Sequence, residues 1–181
     1  MNIVATFTIV DESLFSVQFN NEDTNEFRKL FRNWNDPEYL HRFFSKNVKD
    51  LQAPFWGGIS VDAAIEKTRK DAKKMEKKLL SLAKSGLSLG ENLSDYFMPL
   101  TNNVIGELEK DKAKGLAKNS WLRIYAIRVD KNLFVICGGG IKLTKTMNER
   151  EHLQKELEKL EITRLYLLNE EDDELDFMTS Y

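Results

Sequence analysis

Apolar residues recur along this chain with two periods, and the switches between them mark out its elements. Residues 3–10 alternate Ile3, Ala5, Phe7 and Ile9, and residues 14–20 are similarly apolar after Asp11-Glu12-Ser13, which predicts a β-hairpin. The period then lengthens. Phe27, Leu30, Phe31 and Trp34 fall at helical spacing behind Thr24 as the expected cap, and Asp36-Pro37 opens a second helix that turns Tyr39, Leu40, Phe43 and Phe44 inward and ends near Leu51. Residues 52–59 carry Pro54, Phe55, Trp56 and Gly57-Gly58. Such a connection is pinned by its aromatics, first as plugs in a core and, in the alternative, as an exposed docking or base-stacking pair.

The clearest helix starts at Ser60. Val61, Ile65, Thr68, Ala72, Met75, Leu79 and Leu82 form one apolar stripe, Asp62 complements the helix dipole, and Gly86 supplies a stop. Its outer face holds Lys67, Arg69, Lys70, Lys73, Lys74, Lys77 and Lys78 with Glu66, Asp71 and Glu76 interleaved, a solvated face first and a phosphate track second. The pattern weakens from Ser85 to Asn103. Lysine-rich residues 105–117 are expected to be helical in their first half. Trp121 to Val129 and Leu133 to Leu143 then read as two strands joined at Asp130-Lys131-Asn132, the second broken by Gly138-Gly139-Gly140. Thr146 with Glu149 forms a capping box before a helix carrying Leu153, Leu157, Leu160 and Leu165.

This order predicts an α+β fold: a small antiparallel sheet flanked by helices, in which residues 1–60 add a hairpin and a helical extension to a core over 61–168. Residues 169–181 hold six acidic groups and no basic one, the pattern of a mobile tail or of one that docks on something basic. Composition changes the picture in one respect. The 181 residues carry 27 Lys plus Arg and 29 Asp plus Glu, a net of −2 that argues against a free-standing nucleic-acid binder. Divided, however, residues 1–168 are +4, and residues 105–150 hold ten basic against five acidic groups.

The single Cys137 excludes an internal disulfide and a multi-cysteine metal centre, and with only His41 and His152 no metal or cofactor is implied. The apolar start lacks a basic lead-in, and no run approaches the ~20 residues of a membrane helix, so a cytoplasmic location without a membrane partner is expected. The triple glycine lacks the spacing of a phosphate cradle and points to a bulge or a close backbone approach. Alternation groups Cys137 with Leu133, Val135, Ile141 and Leu143 on a buried face, which leaves it a poor nucleophile for His152 to activate. Arg123 and Tyr125 share a face of one strand and Arg128 takes the other, while Lys142 and Thr144 lie on one face of the next, provided the glycines do not reset the register. Lys145, Arg150 and His152 follow at the turn into the last helix. Fixed cations, a phenol and an imidazole are what metal-free cleavage of a phosphodiester needs: a base for the 2′-hydroxyl, charge on the phosphate and an acid for the leaving oxygen.

The order of these strings resembles the RelE/ParE toxin superfamily, in particular its HigB-like, phage-associated branch, over roughly residues 61–165. The similar segments are Leu79-Leu80-Ser81-Leu82-Ala83-Lys84-Ser85-Gly86, Phe97-Met98-Pro99-Leu100, Leu122-Arg123-Ile124-Tyr125, and Ile141-Lys142-Leu143-Thr144-Lys145-Thr146-Met147. The family segment usually carries two adjacent lysines; here Leu143 holds the second place. The resemblance implies an endoribonuclease that cleaves mRNA without a metal, on the ribosome or free, and a helix-turn-helix antitoxin partner. It places Arg123 and Lys142 on phosphate and Tyr125 in proton transfer or stacking, with Lys145, Arg150 and more weakly His152 steering RNA. The alternative is a non-catalytic protein-interaction module that keeps the fold and docks through Phe55 and Trp56. The RNA reading expects Arg123, Tyr125, Lys142 and Arg150 to line one open concave face.

Overall fold

A computed structural model of the chain describes residues 1–100, 108–145 and 150–170. The opening hairpin pairs β1 (Ile3–Val10) with β2 (Leu14–Phe19). Asn25, one residue beyond the expected Thr24, caps α1 (Glu26–Asn35) by accepting from the Arg28 N–H at 3.0 Å; asparagine outranks threonine as a cap. Asp36 caps α2 (Pro37–Lys46), and after Asn47 a single turn, α3 (Val48–Leu51), completes the helical stretch. Ser60 opens α4 (Val61–Ser85) as its spacing predicts.

The stop of α4 differs from expectation. Gly86 keeps a right-handed helical conformation, and Leu89 takes the left-handed one at φ 63°. Gly86 is needed for space instead: a Cβ there would lie 2.3 Å from the Asn132 carboxamide, which bonds the Ala83 carbonyl, the Leu93 N–H and the Ser13 hydroxyl.

After β3 (Met98–Pro99), residues 109–114 form β4 (Glu109–Lys114), where helical character was expected in the first half of 105–117. Lys, Glu and Ala favour helices only weakly, and pairing along β5 (Leu122–Asp130) overrides that preference by burying Asp111 and Ala113. The closing elements are β6 (Leu133–Ile141) and α5 (Glu151–Glu170). The capping box at Thr146 and Glu149, and the acidic run beyond residue 170, lie outside the described residues.

The α+β class holds, and the sheet runs β1-β2-β6-β5-β4-β3. Every joint is antiparallel except β2 with β6, where Leu14–Ser16 pair parallel with Phe134–Ile136. Both faces are covered. Leu122, Ile124 and Ala126 pack with α1, α2 and α4, whereas Tyr125 and Ile127 pack with Leu160 and Leu167 of α5.

A bulge sits one residue before the glycines. Tyr125 pairs with Gly138 and Ala126 with Ile136, so Cys137 is the extra residue and the register resets there. Leu133, Val135 and Cys137 therefore face α5, but Ile141 and Leu143 turn to the opposite core, correcting the single buried face expected for all five. The glycines also admit close neighbours. A Cβ at Gly138 would lie 2.0 Å from Glu156 Oε2, and one at Gly139 would lie 2.5 Å from the Arg123 carbonyl oxygen. Beyond Ile136, where β2 no longer pairs, α5 serves the open edge of β6: Glu156 accepts the Gly139 N–H at 2.8 Å, and His152 reaches the Ile141 carbonyl at 3.1 Å.

Candidate functional site

The start of β5, the ends of β4 and β6 and the Pro54–Trp56 turn meet around a cleft of 340 Å³. Register brings its first two cations together, because Lys114 of β4 and Arg123 of β5 are cross-strand partners whose side chains share a face. The chain leaving β6 supplies two more. The Lys142 N–H donates to the Trp121 carbonyl at 2.8 Å, and the Lys142 ammonium turns back onto the Lys145 carbonyl. Arg123 Nη1 donates to the carbonyls of Ser120 and Leu122 at 2.9 and 2.7 Å, which orients the guanidinium. Burial draws its pKa below the ordinary arginine value, although the group remains a cation.

No carboxylate lines the cleft among the described residues, whose polar remainder is Asn119, Ser120 and Thr144. The nearest buried acid, Asp71, lies beneath and is occupied by the Ser120 hydroxyl at 2.5 Å and the Ala117 N–H at 2.8 Å.

Aromatic rings build one wall. Phe44, Trp121, Trp56 and Phe55 succeed one another edge to face at centroid separations of 5.4, 5.3 and 4.6 Å, from the core to the surface. Trp121 donates to Thr68 at 2.9 Å and Trp56 to the Leu143 carbonyl at 3.0 Å, which fixes both indoles. Phe55 ends the series 69% exposed, so Trp56 packs inward as expected of a plug while Phe55 does not.

The structure thus brings Arg123, Lys142 and Lys145 together and separates the other three sequence candidates from them, so the one open face expected of Arg123, Tyr125, Lys142 and Arg150 does not form. Tyr125 is 1% exposed beneath α5, and burial pushes its phenol pKa above the ordinary value, so it presents no proton to the cleft. Arg150 holds Asp50 with two nitrogens, the Nε contact being 2.7 Å. His152 faces a carbonyl, which can only accept, so its Nε2 carries the proton; Phe43 packs on the ring at 5.4 Å. Cys137 is buried, with its thiol pushed up chiefly by that burial. Lys114 escaped the sequence reading, although the alternation of Lys110, Lys112 and Lys114 with Asp111 and Ala113 carried the signal.

Volume alone does not mark the site. A larger hollow of 700 Å³ lies between β1 and α1, but Glu76 lines it and its Arg32 is tied to Asp23 at 2.7 Å. No group of His, Cys, Asp and Glu able to hold a metal ion occurs among the described residues, and no helix there is long and apolar enough to cross a membrane. No protein-family model, no curated protein and no solved structure matches the chain.

Proposed function

We propose that the protein binds single-stranded RNA in this cleft and acts on it as a RelE/HigB-like endoribonuclease toxin. One observation carries the reading: Lys114, Arg123, Lys142 and Lys145 converge beside the exposed ring of Phe55. Cations of this kind take phosphate oxygens, and a fixed aromatic stacks a base whatever its identity. In metal-free cleavage the 2′-oxygen loses its proton and bonds to phosphorus. The bond from phosphorus to the 5′-oxygen then breaks, that oxygen gains a proton, and a 2′,3′-cyclic phosphate is left. Arg123 stays charged and stabilises the phosphorane oxygens, an ammonium of Lys114, Lys142 or Lys145 can protonate the departing 5′-oxygen, and the 2′-hydroxyl proton passes to water.

Induced expression in bacteria tests the whole reading. Wild type is expected to arrest growth with cleaved message, and Arg123→Ala/Lys142→Ala is expected to abolish both and weaken RNA binding at least tenfold. Equal growth with wild type and variant would sink the toxin reading, and equal RNA affinity would sink the cleft. The exposure of Phe55 favours a second reading, a module that docks another protein such as the helix-turn-helix antitoxin implied by the resemblance. Phe55→Ala separates the two. A stacking platform loses ~1–3 kcal/mol of RNA affinity, whereas a docking residue loses only the protein partner.

A further inference from the structure

We infer that the outer face of α4 continues the cleft as a backbone-binding track for a longer single-stranded RNA, a proposal that rests on the RNA reading above. Lys67 makes the join. Its ammonium donates to the carbonyl of Asn119, a residue of the cleft wall, at 3.2 Å and lies 4.2 Å above the Trp121 ring. From there Lys67, Lys70 and Lys74 line one hollow on the helix, and Lys77 and Lys84 line the next. Helical spacing puts these five lysines along one stripe about 25 Å long at 1.5 Å per residue.

The acidic groups of α4 share these hollows but are partly engaged elsewhere. Glu66 and Asp71 line the first, Glu66 paired with Arg69 at 3.2 Å and Asp71 buried against the Ser120 hydroxyl and the Ala117 N–H, and Glu76 lines the second. Lys78, four residues beyond Lys74 on the same side of the helix, finds a carboxylate in Glu91. Among the described residues none of the five track lysines is ion-paired. A row of ammonium groups that form no ion pair among the described residues, leading out of a basic cleft, is complementary to a chain of phosphates; a protein ligand would have to supply an equally long acidic face.

The test compares a trinucleotide with a single-stranded RNA of about 12 nucleotides, within the site sizes such grooves cover, by fluorescence anisotropy with the full chain. Lys70→Ala/Lys74→Ala/Lys77→Ala is expected to leave trinucleotide affinity within twofold and to weaken the longer RNA at least tenfold. The slope of log affinity against log salt should fall by about 2, at roughly 0.7 per phosphate contact on a single strand. The control Arg42→Ala/Lys46→Ala/Lys155→Ala removes the same charge from α2 and α5 and should change neither. An unaltered affinity for the longer RNA in the track variant, or an equal loss in the control, overturns the proposal. Loss of the longer RNA in the track variant, with no loss of either RNA in Arg123→Ala/Lys142→Ala, would keep the track and reject the cleft.

Discussion

Two clusters of charge flank the glycine run of β6, and the fold treats them in opposite ways. At Gly138-Gly139 the Lys159 ammonium lies 3.1 Å from Glu26 and 3.0 Å from Glu156, and all three side chains are buried. Lys29 closes the charge balance from outside by binding Glu26 at 2.6 Å. At the other end of the run Lys114, Arg123, Lys142 and Lys145 stand around open space with no lining carboxylate among the described residues. A charge removed from water costs several kcal/mol unless a partner compensates it, whereas an open one can wait for water or a ligand to do so. Exposure, rather than the number of charges, separates the cluster that builds the fold from the one that offers itself to an anion.

The severest way to break this comparison is to uncompensate the buried cluster. Lys159→Met leaves two carboxylates facing each other out of water, and urea unfolding at pH 7 should show a loss of about 3–5 kcal/mol. The pH dependence carries a definite sign. Burial, opposed by Lys159, already raises the Glu156 pKa above its ordinary 4.5, and without the lysine burial and Glu26 repulsion push it higher against the Gly139 N–H alone. The folded variant then binds more protons than the unfolded chain above pH 4.5, so its stability rises as pH is lowered from 7 towards 5, more steeply than that of wild type. Adding Glu26→Gln and Glu156→Gln should recover most of the loss. A variant as stable as wild type at pH 7 would show that the triad is ornamental.

A smaller effect should come from the glycines that hold the two clusters apart. In Gly139→Ala the new methyl would lie 2.5 Å from the Arg123 carbonyl oxygen and 2.8 Å from Leu30 Cδ1. Strand backbone and a buried leucine yield little, so a loss of about 1–3 kcal/mol is expected. RNA affinity should fall with it, because the strand displaced is the one that presents Arg123. Gly140→Ala is the milder control, its methyl meeting Leu153 at an ordinary 3.5 Å. Equal destabilisation by the two would mean that close approach is not why Gly139 is a glycine.

Much of the frame around these clusters was legible locally. Asp36-Pro37, Ser60 and the stripe from Val61 to Leu82 set their helices through caps and spacing that need no distant partner, and the hairpin did so by alternation. What escaped depends on residues far away in the chain. The bulge at Cys137 is set by β5 and by Glu156, and Arg150 finds Asp50 across 100 positions. The strand at Glu109–Lys114 is decided by its neighbour rather than by its helix-favouring residues. Tyr125 was misplaced for a related reason. Alternation assigns a residue to a face but does not say whether a helix covers that face, and here both faces are covered.

The mildest variants sharpen the comparison within one strand. Lys110 and Lys114 project from the same face of β4, four residues apart. Lys110 binds Glu161 of α5, whereas Lys114 lines the cleft beside Arg123. Its hydrogen bond to Lys110 holds the Glu161 carboxyl below its ordinary 4.5, so that contribution is present above pH 4.5 and is lost as pH falls through the lower folded value. Both groups are partly exposed, and Lys110→Ala should therefore cost only ~0.2–1 kcal/mol at pH 7, a difference that vanishes in acid. Its RNA affinity should match wild type, because the lysine it removes was already compensated. Lys114→Ala should reverse this, leaving stability within about 0.5 kcal/mol and lowering the salt slope of RNA binding by roughly 0.7. Urea titrations at pH 7 and at successively lower pH through the folded value of Glu161, set beside anisotropy at two salt concentrations, read both outcomes. If Lys110→Ala weakened RNA as much as Lys114→Ala, the total field of the molecule would govern binding, and the distinction between compensated and uncompensated charge would not hold even on a single strand.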